Sequence, residues 1–416
     1  MKLDKEFLLK ESKYFCMAPW IHMHMWPNGE TFPCCIAPAD ENNRGMGNFN
    51  NMTVKELWNC DTMNKLRLNM LNERPSKECN KCYELEETGD VWTLRKNLSR
   101  EFKEKFYRVE QTHTDGSHDD PQFYYWDIRF NNLCNMKCRT CGPEFSTSWW
   151  QDYEHLKNKK SLIALTNKST FWEEIRPLVD NIESVYFAGG EPLITDEHYT
   201  MLDIWLEQNR QDKIKISYTT NFSRLKHKGK NVLDYWKHFK NNVDVVASLD
   251  GSHKRGEWIR KGTRWSKIVS NRKEMKKALP NTMFGITPTV SAYNVWHLPD
   301  FFKEWIELDL IKPWDIRINL LTTPECMRTQ VLPYNFKKEV EEKWIKFCDW
   351  LEHTGYSKEK HNEMFTYFEG VIKFMWENDR SNEIPELLKH VNQWDRVRSE
   401  NMFKVFPELE ILKEYV

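Results

Sequence analysis

Three cysteines occupy the run Cys134-Asn135-Met136-Lys137-Cys138-Arg139-Thr140-Cys141-Gly142-Pro143, just after the strand-like stretch Phe123 to Phe130. Three thiolates from one short loop can hold three irons of a four-iron cluster and leave the fourth without a protein ligand. An open metal position is where chemistry takes place. Zinc sites favour CxxC pairs instead. A second group of cysteines fills the amino-terminal part: Cys16 before Met17-Ala18-Pro19-Trp20, the pair Cys34-Cys35, and Cys79-Asn80-Lys81-Cys82. Four thiols so spaced fit either structural zinc or a fully ligated iron-sulfur cluster.

The elements that must position these thiols are legible in outline. At 416 residues the chain has room for two or three domains. Its 61 Lys and Arg against 62 Asp and Glu leave no basic field for nucleic acid or an anionic membrane. No apolar run is long enough to span a bilayer, and Met1 to Lys13 is too charged for a signal peptide, so a cytoplasmic protein is expected. In that compartment eleven cysteines argue for metal ligation rather than disulfides. The nineteen tryptophans read as core; Trp126, Trp149 and Trp150 near the cysteine loop, with Tyr124, are candidates for a substrate groove, though core packing is the commoner role.

The polar, turn-rich run from His113 to Pro121 is the candidate domain boundary. Downstream of it, Phe123 to Phe130, Ser184 to Ala188, Ile214 to Thr220, Val243 to Leu249, Phe284 to Val290 and Asp315 to Leu320 read as strands. Amphipathic segments lie between them, among them Glu197 to Gln208, Trp265 to Ala278 and Leu298 to Leu308. Alternation of this kind implies an α/β fold with a parallel sheet built from right-handed crossovers. From Tyr334 onward the pattern is helical. In parallel βα folds, ligands collect at the carboxyl ends of strands, which here carry Gly189-Gly190-Glu191-Pro192, Thr219-Thr220-Asn221 and Ser248-Leu249-Asp250-Gly251. Asp250 and Glu325 are strand-end carboxylates, and no general base is assigned.

CxxxCxxC after a first strand resembles the signature of the radical S-adenosylmethionine (SAM) superfamily. The resemblance implies a partial (β/α)6 barrel over residues 123–325. It also implies a 4Fe-4S cluster on Cys134, Cys138 and Cys141 whose open iron binds the amino and carboxylate groups of SAM. One electron then cleaves the sulfonium to a 5′-deoxyadenosyl radical that abstracts a substrate hydrogen. Gly189, Gly190 and Glu191 match the family's GGE motif, which contacts the SAM amino group. Thr220 and Asn221 resemble its TNG element, with Phe222 where glycine is usual, and Ser248 and Asp250 resemble its S-x-D-G element. Arg260, before Gly262, resembles the arginine that pairs with the SAM carboxylate, and Asn294 a late contact.

At the amino terminus, Ile21, Met23 and Met25 alternate with His22, His24 and Trp26 ahead of the turn Pro27-Asn28-Gly29, which reads as a half-exposed hairpin. Thr53 and Glu56 form a capping box, and Cys60 reads as a small buried hydrophobe. The order Cys-x-x-Pro-Trp, hairpin, Pro-Cys-Cys, helix, Cys-x-x-Cys resembles the SPASM or twitch auxiliary-cluster domains that accompany radical SAM cores. This implies a second 4Fe-4S cluster on Cys16, Cys34, Cys79 and Cys82. Adjacent strand side chains point to opposite faces, and the family pattern selects Cys34 over Cys35. The expected organisation is thus a cluster domain at 1–95, a linker at 96–122, the barrel and a helical extension at 326–416. A peptide or protein substrate is expected, with a small molecule as the alternative, and an electron donor such as flavodoxin or ferredoxin. A zinc-stapled binding protein without chemistry is the competing reading from another class.

Overall fold

The computed structural model describes residues 4–37, 45–87, 93–153 and 162–415. They fall into two compact units, Met1–Asn132 with Leu162–Ser217, and Leu133–Ser161 with Tyr218–Val416.

In the first unit, Gly29 at φ 87 turns the chain between strands β1 (His24–Met25) and β2 (Glu30–Phe32), which pair antiparallel, and β3 (Gly47–Asn48) adds to β2. Strand β4 (Tyr125–Ile128) runs parallel to β1, with Met25 opposite Ile128, and β5 (Ser184–Phe187) runs parallel to β4. The row continues to β6 (Lys215–Thr220), within which the division between the units falls. Trp126, Ile128 and Phe130 are buried on one side of β4 and its continuation, where Phe130 lies 6.4 Å from Trp126 and 6.1 Å from Phe171 at the start of helix Phe171–Val179. The period-2 alternation puts Tyr125, Asp127 and Arg129 on the opposite side.

That geometry corrects the expectation for the hairpin. His22 and His24 are 0% exposed. Because β4 lies beside β1, its polar side chains meet those of the hairpin instead of solvent. His22 Nδ1 donates to the Tyr125 carbonyl at 3.2 Å, and His24 Nδ1 lies 3.6 Å from Asp127. Burial, the largest influence, lowers the pKa of both histidines and brings His22 to about 3. The Thr53–Glu56 capping box is present ahead of helix Val54–Trp58. Cys60 is half-buried at the start of helix Asp61–Leu71, so the buried-hydrophobe reading was too simple. The His113–Pro121 run is tied down: Arg67 donates to the Gly116 carbonyl, and Asn59 bonds the backbone of His118.

In the second unit a small hairpin, β7 (Lys226–His227) and β8 (Lys230–Asn231), precedes β9 (Val243–Ala247) and its parallel partner β10 (Met283–Ile286). The expected strand Phe284 to Val290 is broken in two: Pro288 has no N–H for a ladder, and β11 (Thr289–Val290) restarts beside β12 (Asn319–Leu320). Asp315 belongs to a 3-10 turn begun by Pro313, which shortens the last expected strand. Helix Trp265–Ala278 has the expected bounds. The carboxyl-terminal part is helical, with helices Tyr334–His353, Asn362–Glu377 and Ile384–Arg398. The fold is therefore mixed α/β, with a mainly parallel sheet and a helical carboxyl-terminal part. Among the described residues no helix is long and apolar enough to cross a membrane.

Candidate functional site

In the first unit Cys16 precedes helix Ala18–Ile21 and accepts the Ala18 amide at 3.4 Å. Cys34 follows β2 by way of Pro33. Cys79 ends a 3-10 turn, and Cys82 lies three residues on, one helical turn away on the same face. All four thiols line one cavity with Leu66, Met70 and Arg95. Arg95 is buried and held by Glu86 through Nε at 2.9 Å and by the Phe15 carbonyl at 2.7 Å. Burial raises the thiol pKa values of Cys16 and Cys79 and pushes Cys34 up to about 12. Four soft donors that would be neutral by themselves are stabilised as thiolates by a metal, so this donor set fits an iron-sulfur cluster. Among the described residues no three His, Cys, Asp or Glu side chains converge on a single-ion point. Cys35 does not line the cavity: burial and then Asp127 raise its thiol pKa.

In the second unit the loop carrying Cys134, Cys138 and Cys141 is fixed by backbone bonds to a neighbouring segment. Lys137 donates to the Lys261 carbonyl at 2.8 Å and Arg139 to that of Ile259 at 2.7 Å. Gly262, at φ 110, lets the two segments approach, since a Cβ there would stand 2.7 Å from the Asn135 carbonyl oxygen. Ser148 Oγ donates to the Cys134 carbonyl at 2.7 Å. Around the thiols stand three side chains singled out from the strand ends. Asn221 Nδ2 lies 3.8 Å from Cys134 Sγ and 3.1 Å from Asn135 Oδ1. Arg260 Nη1 lies 3.8 Å from Cys138 Sγ, and the same guanidinium donates Nη2 to Asp250 Oδ1 at 3.0 Å, with Nε in ion-pair contact with Oδ2 at 2.8 Å. Burial opposes the charge of Arg260, but Asp250 and then Cys138 raise its pKa above the ordinary value. Burial raises Cys138, with Arg260 pulling against it, and pushes Cys141 up to about 12.

Asp250 is 1% exposed; its Oδ1 also accepts the Thr289 amide at 2.8 Å, and its carbonyl accepts Asn294 Nδ2 at 3.0 Å. Asn294 thus shapes the turn after β11. Thr220 Oγ1 accepts the Phe222 amide at 2.9 Å, and the Ser248 amide donates to the Thr220 carbonyl at 2.8 Å. Phe222 sits at φ 56, the left-handed conformation for which glycine is the usual residue, and its buried ring packs 5.0 Å from Phe284. Glu325 is away from this group, in an ion pair with Arg328 at 3.0 Å. The GGE residues belong to the first unit. There Gly189, at φ 119, passes so close to β4 that a Cβ would meet the Arg129 Cβ and the Asn131 carbonyl at 3.3 Å. Gly190 N donates to that same carbonyl at 3.3 Å, and Glu191, 1% exposed, accepts the Leu193 amide at 3.1 Å.

Residues 16–83 match the family model of an iron-sulfur cluster-binding domain, SPASM. These residues form a SPASM domain. The four cavity thiols, Cys16, Cys34, Cys79 and Cys82, all lie within the SPASM match. No curated protein matches the chain. Among solved structures it is similar to "native anSMEcpe with bound AdoMet and Cp18Cys peptide", at 17% identity over 57% of this chain and 62% of that one, with a TM-score of 0.39. It is also similar to Streptococcus suis SuiB bound to S-adenosylmethionine, at 14% identity over 71% and 64%, with a TM-score of 0.39. With SuiB bound to the precursor peptide SuiA the identity is 16% over 84% and 68%, and the TM-score 0.33. The chain thus spans less than two thirds of the first of these structures. Beyond the SPASM domain, sequence reasoning missed Asn135, which joins Asn221 to Ser223, and Arg139, whose buried side chain is bound by Asp395 and Glu400 at 2.5 Å each. A lone Asn and an Arg between two cysteines carry no spacing signal.

Proposed function

We propose that the chain is a radical SAM enzyme that uses a cluster on Cys134, Cys138 and Cys141 to modify a peptide or protein, with a second, fully ligated cluster in the SPASM domain. The observation that supports it is the meeting of Asn221, Asp250 and Arg260, each singled out at or after a strand end, at the thiols of the CxxxCxxC loop. When bound, the cluster supplies one electron to the sulfonium of SAM. The chain's own residues do the rest. Three thiols from one loop leave one corner of a four-iron cluster for an outside ligand. Arg260 places a positive charge beside Cys138, which favours added electron density there, while Asp250 fixes the fork of the guanidinium. The Asn221 amide points a donor at Cys134. Cys16, Cys34, Cys79 and Cys82 would together ligate a cluster in the SPASM cavity completely, which would suit it to electron transfer or to holding the fold. A peptide substrate is the reading that the SPASM match supports, since radical SAM relatives with such domains often act on peptides.

The test is anaerobic purification with iron and sulfide assays, followed by reduction in the presence of SAM. The expected products are methionine and 5′-deoxyadenosine. Replacing Cys134, Cys138 and Cys141 with Ala should abolish both while about half of the iron stays bound. Stoichiometric zinc without sulfide, or undiminished 5′-deoxyadenosine from the triple variant, ends the proposal.

A further inference from the structure

Strand β12 is an unfinished edge. Arg317, Asn319 and Leu321 donate to the carbonyls of Ile286, Pro288 and Val290 at 2.8, 3.1 and 3.0 Å. Alternation turns the amides and carbonyls of Ile318 and Leu320 to the other side, where among the described residues no backbone hydrogen bond uses them and no strand pairs. A groove of about 490 Å³ takes in Trp314, Ile316, Arg317 and Ile318 at the start of this segment. Ile316 and Ile318 form one wall, and His361, Met364 and Tyr367, at the start of helix Asn362–Glu377, form the other. Trp314, 54% exposed, stacks on His361 with ring centroids 5.7 Å apart and 9° between the planes, and Tyr367 is 46% exposed. A solvated edge alone needs no partner, and a charged side chain is enough to blunt it. An edge that opens into an aromatic-walled groove is built to be covered.

Charge selects the occupant. Arg317 and Lys360 are exposed and, among the described residues, in no ion pair; the lining holds one carboxylate, Glu363, and Asp315 just outside it feels the charge of Arg317. A second copy of this chain pairing edge to edge in the register centred on Arg317 would bring Arg317 against Arg317, which like-charge repulsion disfavours. We infer that β12 and its groove bind an extended acidic segment of another polypeptide by strand addition, with backbone bonds at Ile318 and Leu320 and alternate side chains set between Trp314 and Tyr367. The inference names a docking surface for the peptide of the proposed reaction, and it rests on that reading for its purpose.

The probe is a fluorescent, end-blocked hexapeptide of sequence Glu-Val-Thr-Val-Glu-Val, compared with its Lys-for-Glu counterpart, on the anaerobically purified, iron-loaded full chain. The acidic peptide should bind at least about ten-fold more tightly and slow amide exchange across residues 316–321. Arg317→Glu with Lys360→Glu should reverse the preference. Ile318→Pro, which removes one edge donor, and the exposed change Trp314→Ala should each weaken binding about ten-fold with the near-ultraviolet spectrum retained. Equal binding of the two peptides, or unchanged exchange at 316–321, overturns the inference. Protection already present without peptide and rising with protein concentration assigns the edge to a second copy, and overturns it too. SAM cleavage measured on the same sample separates the two readings. 5′-Deoxyadenosine without peptide protection removes only the docking surface, and protection without 5′-deoxyadenosine removes only the radical reading.

Discussion

Asp395 is the residue whose loss best tests how the cysteine loop is held. Its Oδ1 accepts Arg139 Nη2 at 2.5 Å and Trp258 Nε1 at 3.2 Å, and its Oδ2 accepts the Met402 amide at 2.6 Å. Arg139, 1% exposed, lies between two cysteines of the loop, with its guanidinium 3.7 Å from the centroid of the Trp258 ring. Asp395→Ala therefore orphans a neutral indole N–H and a backbone N–H, at about 1 kcal/mol each. It also removes one of the two carboxylates on a buried cation; stripping such a cation of its partner costs about 3–5 kcal/mol, and Glu400, still in place, keeps part of that. The expected loss is about 4 kcal/mol, which for a unit of this size lowers Tm by roughly 8–16 °C. Differential scanning calorimetry checks the first figure, and an iron assay on anaerobic protein checks the consequence, a selective loss of iron from the Cys134 loop. Because a charge without its partner is worse than no charge, Arg139→Met combined with Asp395→Leu should be less destabilised than Asp395→Ala alone. A change in stability below about 0.5 kcal/mol with full iron would refute the reasoning.

Cys34→Ala should strip iron from the SPASM domain and lower stability, whereas Cys35→Ala should leave the iron content unchanged, since Cys34 lines the cavity and Cys35 lies with Asp127. Phe222→Gly should destabilise the chain by about 2–4 kcal/mol in urea unfolding, because the lost burial of the ring outweighs the relief of backbone strain. Burial lowers His297 to about 3 and His118 to about 4 from an ordinary 6.5. The unfolded chain therefore binds protons first as pH falls: stability is full above about 6.5 and declines below it until the folded values are reached. Between pH 7 and pH 5 each of these histidines should cost about 2 kcal/mol, and His297→Gln, measured by urea unfolding at both pH values, should remove one such share.

The cysteine loop and the strand ends were legible because their chemistry depends on spacing, which a sequence states directly. Helix Trp265–Ala278 was legible to its last residue because its apolar stripe ends with Leu279-Pro280. The hairpin was misjudged for a physical reason. Alternating polar residues usually face water, but here they face Asp127 and Arg129 of a parallel neighbour that sequence pattern does not place. The tail was read only as a helical layer, because the contact that gives it a task joins residues 256 positions apart. Phe222 breaks the expected glycine, yet the backbone keeps the left-handed turn and the ring finds the core beside Phe284.

The pairing of β1 with β4 has a consequence for how the protein is made. His22 reaches Tyr125 across 103 residues, and Met25 meets Ile128. All four SPASM thiols therefore leave the ribosome before the strand that covers the hairpin exists. At ordinary rates of synthesis that interval is on the order of 2–10 s. During it the hairpin's histidines stay uncovered, since the long loop to β4 must close before they are buried. The thiol cavity, whose lining ends at Arg95, is complete in sequence before β4 is made, so it can form while the hairpin still awaits its cover.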